Sequence, residues 1–332
     1  MRLISAFAVL IALFGSVTPA QAVAIPQCGQ VVTTTFTLMG DWGCGNGPAL
    51  IVGANGVKID LKGHTLSGTP AIDMSNFDGT VVRDGAITST ITAVNATNVR
   101  FVDMTIGWSD SSAVYDWPGS TVTFLRSRLT MWRLYCGEHC HLLHTSASMN
   151  QIGAQNLILQ GGQPGSINFI GAVNLDLINS KVRPLTVGGS ERLTIRGSEM
   201  PGFEVIATGR IELLNNTFTG GNWVGVHRPV SGVIRGNTFR MMKSHGLFVQ
   251  PKDTLNGPLL IERNTFTENA KDGLRVDIPI PLDITVRKNR SEHSRQYGMW
   301  ATEGSVVDGG GNVSHNDALG CFTITCSAPQ GE

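Results

Sequence analysis

Three features of the chain specify an all-β protein, a single-stranded right-handed parallel β-helix of roughly a dozen coils. First, four segments between Leu213 and Ala301 repeat one pattern: LLNNTF…WVGV, VIRGNTF…HGLFV, LIERNTF…DGLRV and ITVRKNRS…YGMWA. Each reads as a strand, an asparagine-containing turn and a second strand that begins after glycine. Second, Phe218, Phe239, Phe266 and Ser291 hold equivalent places 21, 27 and 25 residues apart, the period of a stacked array. Third, helical spacing of three and four is sustained nowhere beyond the leader, and glycine, 40 of 332 residues, interrupts every apolar run. A β-sandwich would hold no such register, and a four-stranded propeller blade needs about 40 residues.

In chain order, Arg2, an apolar run from Leu3 to Phe14 and the small-residue end Ala20-Gln21-Ala22 form a secretory signal peptide over residues 1–22. The run is too short to span a bilayer, so no membrane anchor is expected after cleavage, and the mature chain is expected to be secreted or periplasmic. Residues 23–54 are expected to cap the helix, residues 55–317 to form it, and residues 318–332 to make a disulfide-containing tail. The 25 basic and 25 acidic residues cancel and are scattered, which argues against nucleic acid or an anionic membrane as partner.

Six cysteines fall into three local pairs, Cys28 with Cys44, Cys136 with Cys140 and Cys321 with Cys326. In an exported chain this pattern reads as disulfides. The cluster Cys136-Gly137-Glu138-His139-Cys140-His141, with His144, has zinc ligand types, but a local disulfide with loop histidines is the preferred reading. Zinc is disfavoured as cofactor and calcium is left open.

The first clear unit is Val57 to Leu66, where Val57, Ile59 and Leu61 alternate with Lys58, Asp60 and Lys62 as in a half-buried strand. The column headed by Leu66 continues through Ile87, Ile106, Leu129 and Met149, then after 33 residues through Val182, Met200 and Phe218, ending near Asn312. The 33-residue gap implies an irregular coil around Gly161 to Gly165. Two positions ahead lies a polar file, Ser127, Ser180, Ser198, Asn216, Asn237, Asn264 and Asn289. Asparagine bonds readily to nearby main chain, so stacked copies predict a ladder inside a recurring turn.

Cys28-Gly29-Gln30 leading to Cys44, then Gly56 to Gly68, resembles the start of secreted bacterial right-handed β-helix repeat proteins of the pectin-lyase-like superfamily. Gly236-Asn237-Thr238-Phe239 and Asp272-Gly273-Leu274 are similar to their repeat. The resemblance covers the mature chain and implies the fold; the superfamily spans pectin and alginate lyases, polygalacturonases, epimerases, adhesins and phage tailspikes, so it fixes no reaction. The polygalacturonase-like carboxylate, Gly-His-Gly and Arg-x-Lys signatures and the Asp-Pro-His motif of alginate epimerases are absent.

Alternation after the glycines points Leu247, Val249, Leu274, Val276, Met299 and Ala301 inward. Stacking then predicts one outward file of His227, Phe248, Arg275 and Trp300 and a second of Gln250, Asp277 and Thr302. Exposed aromatics beside Arg, Asp and His suit a polysaccharide, the expected partner, through ring packing and hydroxyl or carboxylate contacts. An ordinary sheet face is the competing reading. Substrate-binding candidates are His227, Phe248, Gln250, Lys252 and Trp300. For a uronate-type glycan, Arg275 with Lys252 or Lys271 neutralises the carboxylate and His245 or Tyr297 moves the proton. Asp272 with Asp277 is the carboxylate pair a hydrolase would need. A lyase or epimerase is favoured over a hydrolase, and a noncatalytic structural or adhesion rod is the alternative.

Overall fold

The computed structural model describes residues 26–328 apart from 108–113, 164, 166, 182, 184, 251–256 and 279–282. The leader, Val182 and Lys252 therefore lie outside the described residues. Among the described residues there is no helix, and every named strand pairs in parallel with strands of neighbouring coils. One inward file runs from Phe36 through Ile59, Val82, Phe101 and Phe124 to Ile234, Ile261 and Val286, its register ending at the exposed Asp308, and winds a right-handed β-solenoid of about 13 turns. At about 4.8 Å per rung the stack is roughly 60 Å long.

The interior is a column of apolar rows, so every coil must place the same kind of side chain at the same angle. Phe218, Phe239 and Phe266 are fully buried and stack with centroids 4.9 and 5.1 Å apart. Ahead of them runs the polar ladder. Ser198 N–H donates to Asn216 Oδ1 at 2.9 Å, Asn216 to Asn237, Asn237 to Asn264, Asn264 to Asn289 and Asn289 to Asn312, each at 2.9–3.0 Å. Each of these asparagines also turns its Nδ2 onto a main-chain carbonyl, as Asn237 does to Leu213 at 2.8 Å. The residue before each is left-handed, at φ 54° in Asn215, 67° in Gly236 and 53° in both Arg263 and Lys288. The ladder thus satisfies the donors that a tight bend takes out of the sheets. Coil length varies between 18 and 27 residues while the ladder keeps its spacing, because the extra residues leave on other sides of the coil.

Register corrects three expectations. Leu129 stands opposite Ala147, and Met149 opposite Met131 and Ile167, so Met149 is two residues out of its expected column. The irregular coil disappears with that shift: the strands Ser146–Gln160 and Ile167–Ile178 pair at a constant offset over ten residues, and Lys181 N–H reaches Gly162 O in the ladder row. Two ordinary coils fill the gap; glycine in the ladder position had hidden one of them. Asn312 belongs to the ladder, and the inward column continues instead from Ser291 to Ser314.

Stacking reaches both ends. Gln30–Val32 pairs with Leu50–Val52 inside the segment expected to be a cap, and Cys321–Phe322 pairs with Met299–Trp300 inside the expected tail. The three disulfides are Cys28–Cys44, Cys136–Cys140 and Cys321–Cys326, as the spacing suggested.

Candidate functional site

The strands Val224–Arg235, Leu247–Gln250, Leu274–Val276, Met299–Ala301 and Cys321–Phe322 form one face of the rod. Each of the three middle strands begins after a glycine for a steric reason. A Cβ on Gly246 would come within 2.5 Å of Gly273 O, and one on Gly273 within 2.5 Å of Gly298 O. Close approach of these backbones aligns the preceding residues, His245, Asp272 and Tyr297, into a file of their own at the strand start.

Asp272 is the centre of that file. Its side chain is 0% exposed, Oδ1 accepts the N–H of Tyr297 at 3.0 Å, and Oδ2 lies 3.1 Å from His245 Nδ1 and 3.2 Å from Arg275 Nη1. Burial pushes its pKa up, but His245, the Tyr297 N–H and Arg275 together outweigh burial and hold the carboxyl below its ordinary range. Asp272 is therefore a carboxylate with both oxygens committed, an anchor turned away from any ligand. It does not face Asp277 across an open gap as a hydrolytic pair would, because Arg275 lies between them, with Nη2 3.5 Å from Asp277 Oδ2.

Arg275 is held on a third side by Trp300, its guanidinium 4.0 Å from the ring centroid. The outward file reads Gly225, Phe248, Arg275, Trp300, Phe322. His227 is not in it: that histidine pairs in register with Gln250, and its Nε2 lies 3.2 Å from Glu204 Oε1. Gly225 takes the expected place, and a Cβ there would meet both Trp223 and His227 within about 3 Å. The two-residue difference arises because the glycine of WVGV sits inside the strand, whereas those of HGLFV, DGLRV and YGMWA precede it.

The rings of this file pack on one another. Trp300 lies between Arg275 and Phe322, the two rings nearly parallel at 6.0 Å, and His245 stacks on Phe248 at 5.5 Å. Their faces are largely spent on neighbours, so they brace the polar groups. Phe322 and Glu204 were not legible in the sequence, the first because its coil looked like a disulfide tail and the second because its register depends on the Gly225 shift. Residues 167–327 match the family model of the right handed beta helix region. That match spans every coil of this face and agrees with the solenoid geometry. No curated protein and no solved structure matches the chain.

Proposed function

We propose that this β-helix repeat protein is an exported rod that binds a polysaccharide through the polar groups around Arg275. The reading rests on one observation: Arg275, part-exposed at the middle of the face, is fixed by Asp272, Asp277 and Trp300. Preorganised donors and acceptors lose little entropy on binding, and Arg275, Asp277, Gln250 and His227 alternate in the way that neighbouring sugar hydroxyls require. Both terminal nitrogens of Arg275 already meet carboxylates, so its charge is offset before any ligand arrives. That balance favours hydroxyl recognition on a neutral glycan over neutralisation of a uronate carboxylate, and with it a binding role over lyase or epimerase chemistry. Export is supported by the three disulfides and the leader pattern; among the described residues no helix is long and apolar enough to cross a membrane.

The test is a panel of neutral and uronate polysaccharides on affinity gels, with wild type and Arg275→Ala side by side, and with unsaturated-uronate absorbance and reducing ends followed in solution. Retention on a neutral glycan that drops about tenfold in Arg275→Ala is expected, from loss of charge-assisted hydrogen bonds. Binding that ignores the substitution, or no binding at all, removes the proposed face; new absorbance or reducing ends restores the enzyme.

A further inference from the structure

The same sheet face continues toward the N-terminus, where the outward residues change character. In the row that later carries His227, Tyr135 is followed in register by Gly153 and Gly171, and Gly188 comes directly after Val187, the partner of Ile170. In the adjoining row the order is Arg133, Gln151, Phe169, Thr186, Glu204, Gly225 and Phe248.

Two aromatic rings lean from their own positions onto these glycines. A Cβ on Gly153 would lie 2.5 Å from Tyr135 Cε1; on Gly171 it would lie 3.1 Å from Phe169 Cε1, and on Gly188 3.0 Å from Phe169 Cε2. The Phe169 ring therefore rests against two successive rungs, lying along the sheet instead of standing between a guanidinium and a second ring as Trp300 does. Tyr135 is held in place by Gln151, whose Nε2 donates to the phenol oxygen at 3.0 Å, and by the Arg133 guanidinium 5.5 Å from its centroid. Both rings are only partly buried, and among the described residues Phe169 stacks on no other ring or cation. Glycine inside a strand weakens it relative to alanine, and it commonly marks close approach of another group.

We infer that Phe169 and Tyr135 form a second subsite, a stacking platform for the apolar face of a pyranose ring belonging to the same polysaccharide chain. The inference rests on the polysaccharide-binding reading above and supplies what the Arg275 cluster lacks, an aromatic ring, Phe169, with no other ring or cation on it among the described residues, flanked by Tyr135. Continuity commits the occupant: the two rows run unbroken into the Arg275 cluster, and Phe169 lies four rungs, roughly 19 Å, from Phe248. A linear glycan lying along the rod reaches both, so the second contact is intramolecular and affinity grows with chain length.

The experiment uses the full mature protein and linear β-1,4-gluco-oligosaccharides of about three and about eight residues, with galacturono-oligosaccharides of matching length as the acidic arm, in titration calorimetry. Wild type is expected to bind the long fragment about tenfold more tightly than the short one. Phe169→Ala removes that gain and leaves short-fragment binding unchanged, whereas Arg275→Ala weakens both. Phe169→Leu fills the space without a π face and is expected to lose the gain at an unchanged melting temperature, which separates recognition from folding. If Phe169→Leu binds the long fragment like wild type while Arg275→Ala is weakened, the second subsite is wrong and the polysaccharide reading stands. If no fragment binds, or neither variant changes binding, both fall.

Discussion

At the scale of single residues, the asparagine ladder and Asp272 show the same physics, a buried polar group whose lone pairs and protons are all used. Asn237 is 1% exposed; its Oδ1 accepts from both the N–H and the Nδ2 of Asn216, while its Nδ2 serves Leu213 O and Asn264 Oδ1. Asn237→Ala leaves those partners unsatisfied in a dry turn and is expected to cost about 2–4 kcal/mol, read as a lowered urea midpoint. Asp272 adds a pH dependence. Its folded-state pKa is depressed below 3.8, so the stability it contributes is present above that value and drains away as the pH falls through the lower, folded-state value. Asp272→Asn is expected to be destabilised by about 3 kcal/mol near neutrality, because Arg275 and His245 lose their anchor. The gap in urea midpoint between wild type and variant should narrow as the pH falls below 3.8; a gap that stays constant there means the carboxylate is not the source. The ladder was readable in advance because it repeats. The role of Asp272 was not, since a lone aspartate before glycine looks the same whether it faces solvent or is sealed beneath Arg275.

At the scale of the coil, alternation after glycine correctly separated inward from outward residues: Leu247, Val249, Leu274, Val276, Met299 and Ala301 are all fully buried. Period-two patterning carries that information within one strand, but nothing in a single strand fixes its offset from the next. Offset is set where backbones touch, as at Gly246 and Gly273, and a glycine displaced into the strand, as at Gly225, moves its coil out of the expected file. Hence counting from the glycine sets His227 beside Phe248, although the strand register pairs it with Gln250. The same limit produced the misplaced Met149. The charge balance around Arg275 depends on these offsets and gives its own test. Asp277, whose side chain is 40% exposed, is the partner a uronate would have to displace. Asp277→Asn should leave folding untouched and raise retention on a polyuronate gel relative to a neutral glycan about fivefold, the gain from removing one partly screened opposing charge. Unchanged selectivity would show that Asp277 does not gate the charge of Arg275.

At the scale of the whole molecule, a rod in which each coil touches only its neighbours has stability that is local and nearest-neighbour in form. The phenylalanine column makes this measurable. Phe266 is fully buried, stacked on Phe239 at 5.1 Å and followed in register by Ser291, so it closes the aromatic run. Phe266→Ala opens a cavity worth about 4 kcal/mol. In a globular core with one cooperative transition that loss would be shared by every protected amide. In this solenoid it is expected to appear in native-state hydrogen exchange as lost protection confined to the coils between Leu213 and Ala301. Amides of the strands Val81–Ile87 and Val99–Gly107, several rungs away, keep their wild-type exchange rates. Equal loss at both places would mean that the coils unfold as one unit and that the nearest-neighbour description fails. Localised loss also carries a consequence for binding: the coils bearing Arg275 would open while those bearing Phe169 remain folded, so in this variant the short-fragment affinity should fall while the Phe169 platform persists.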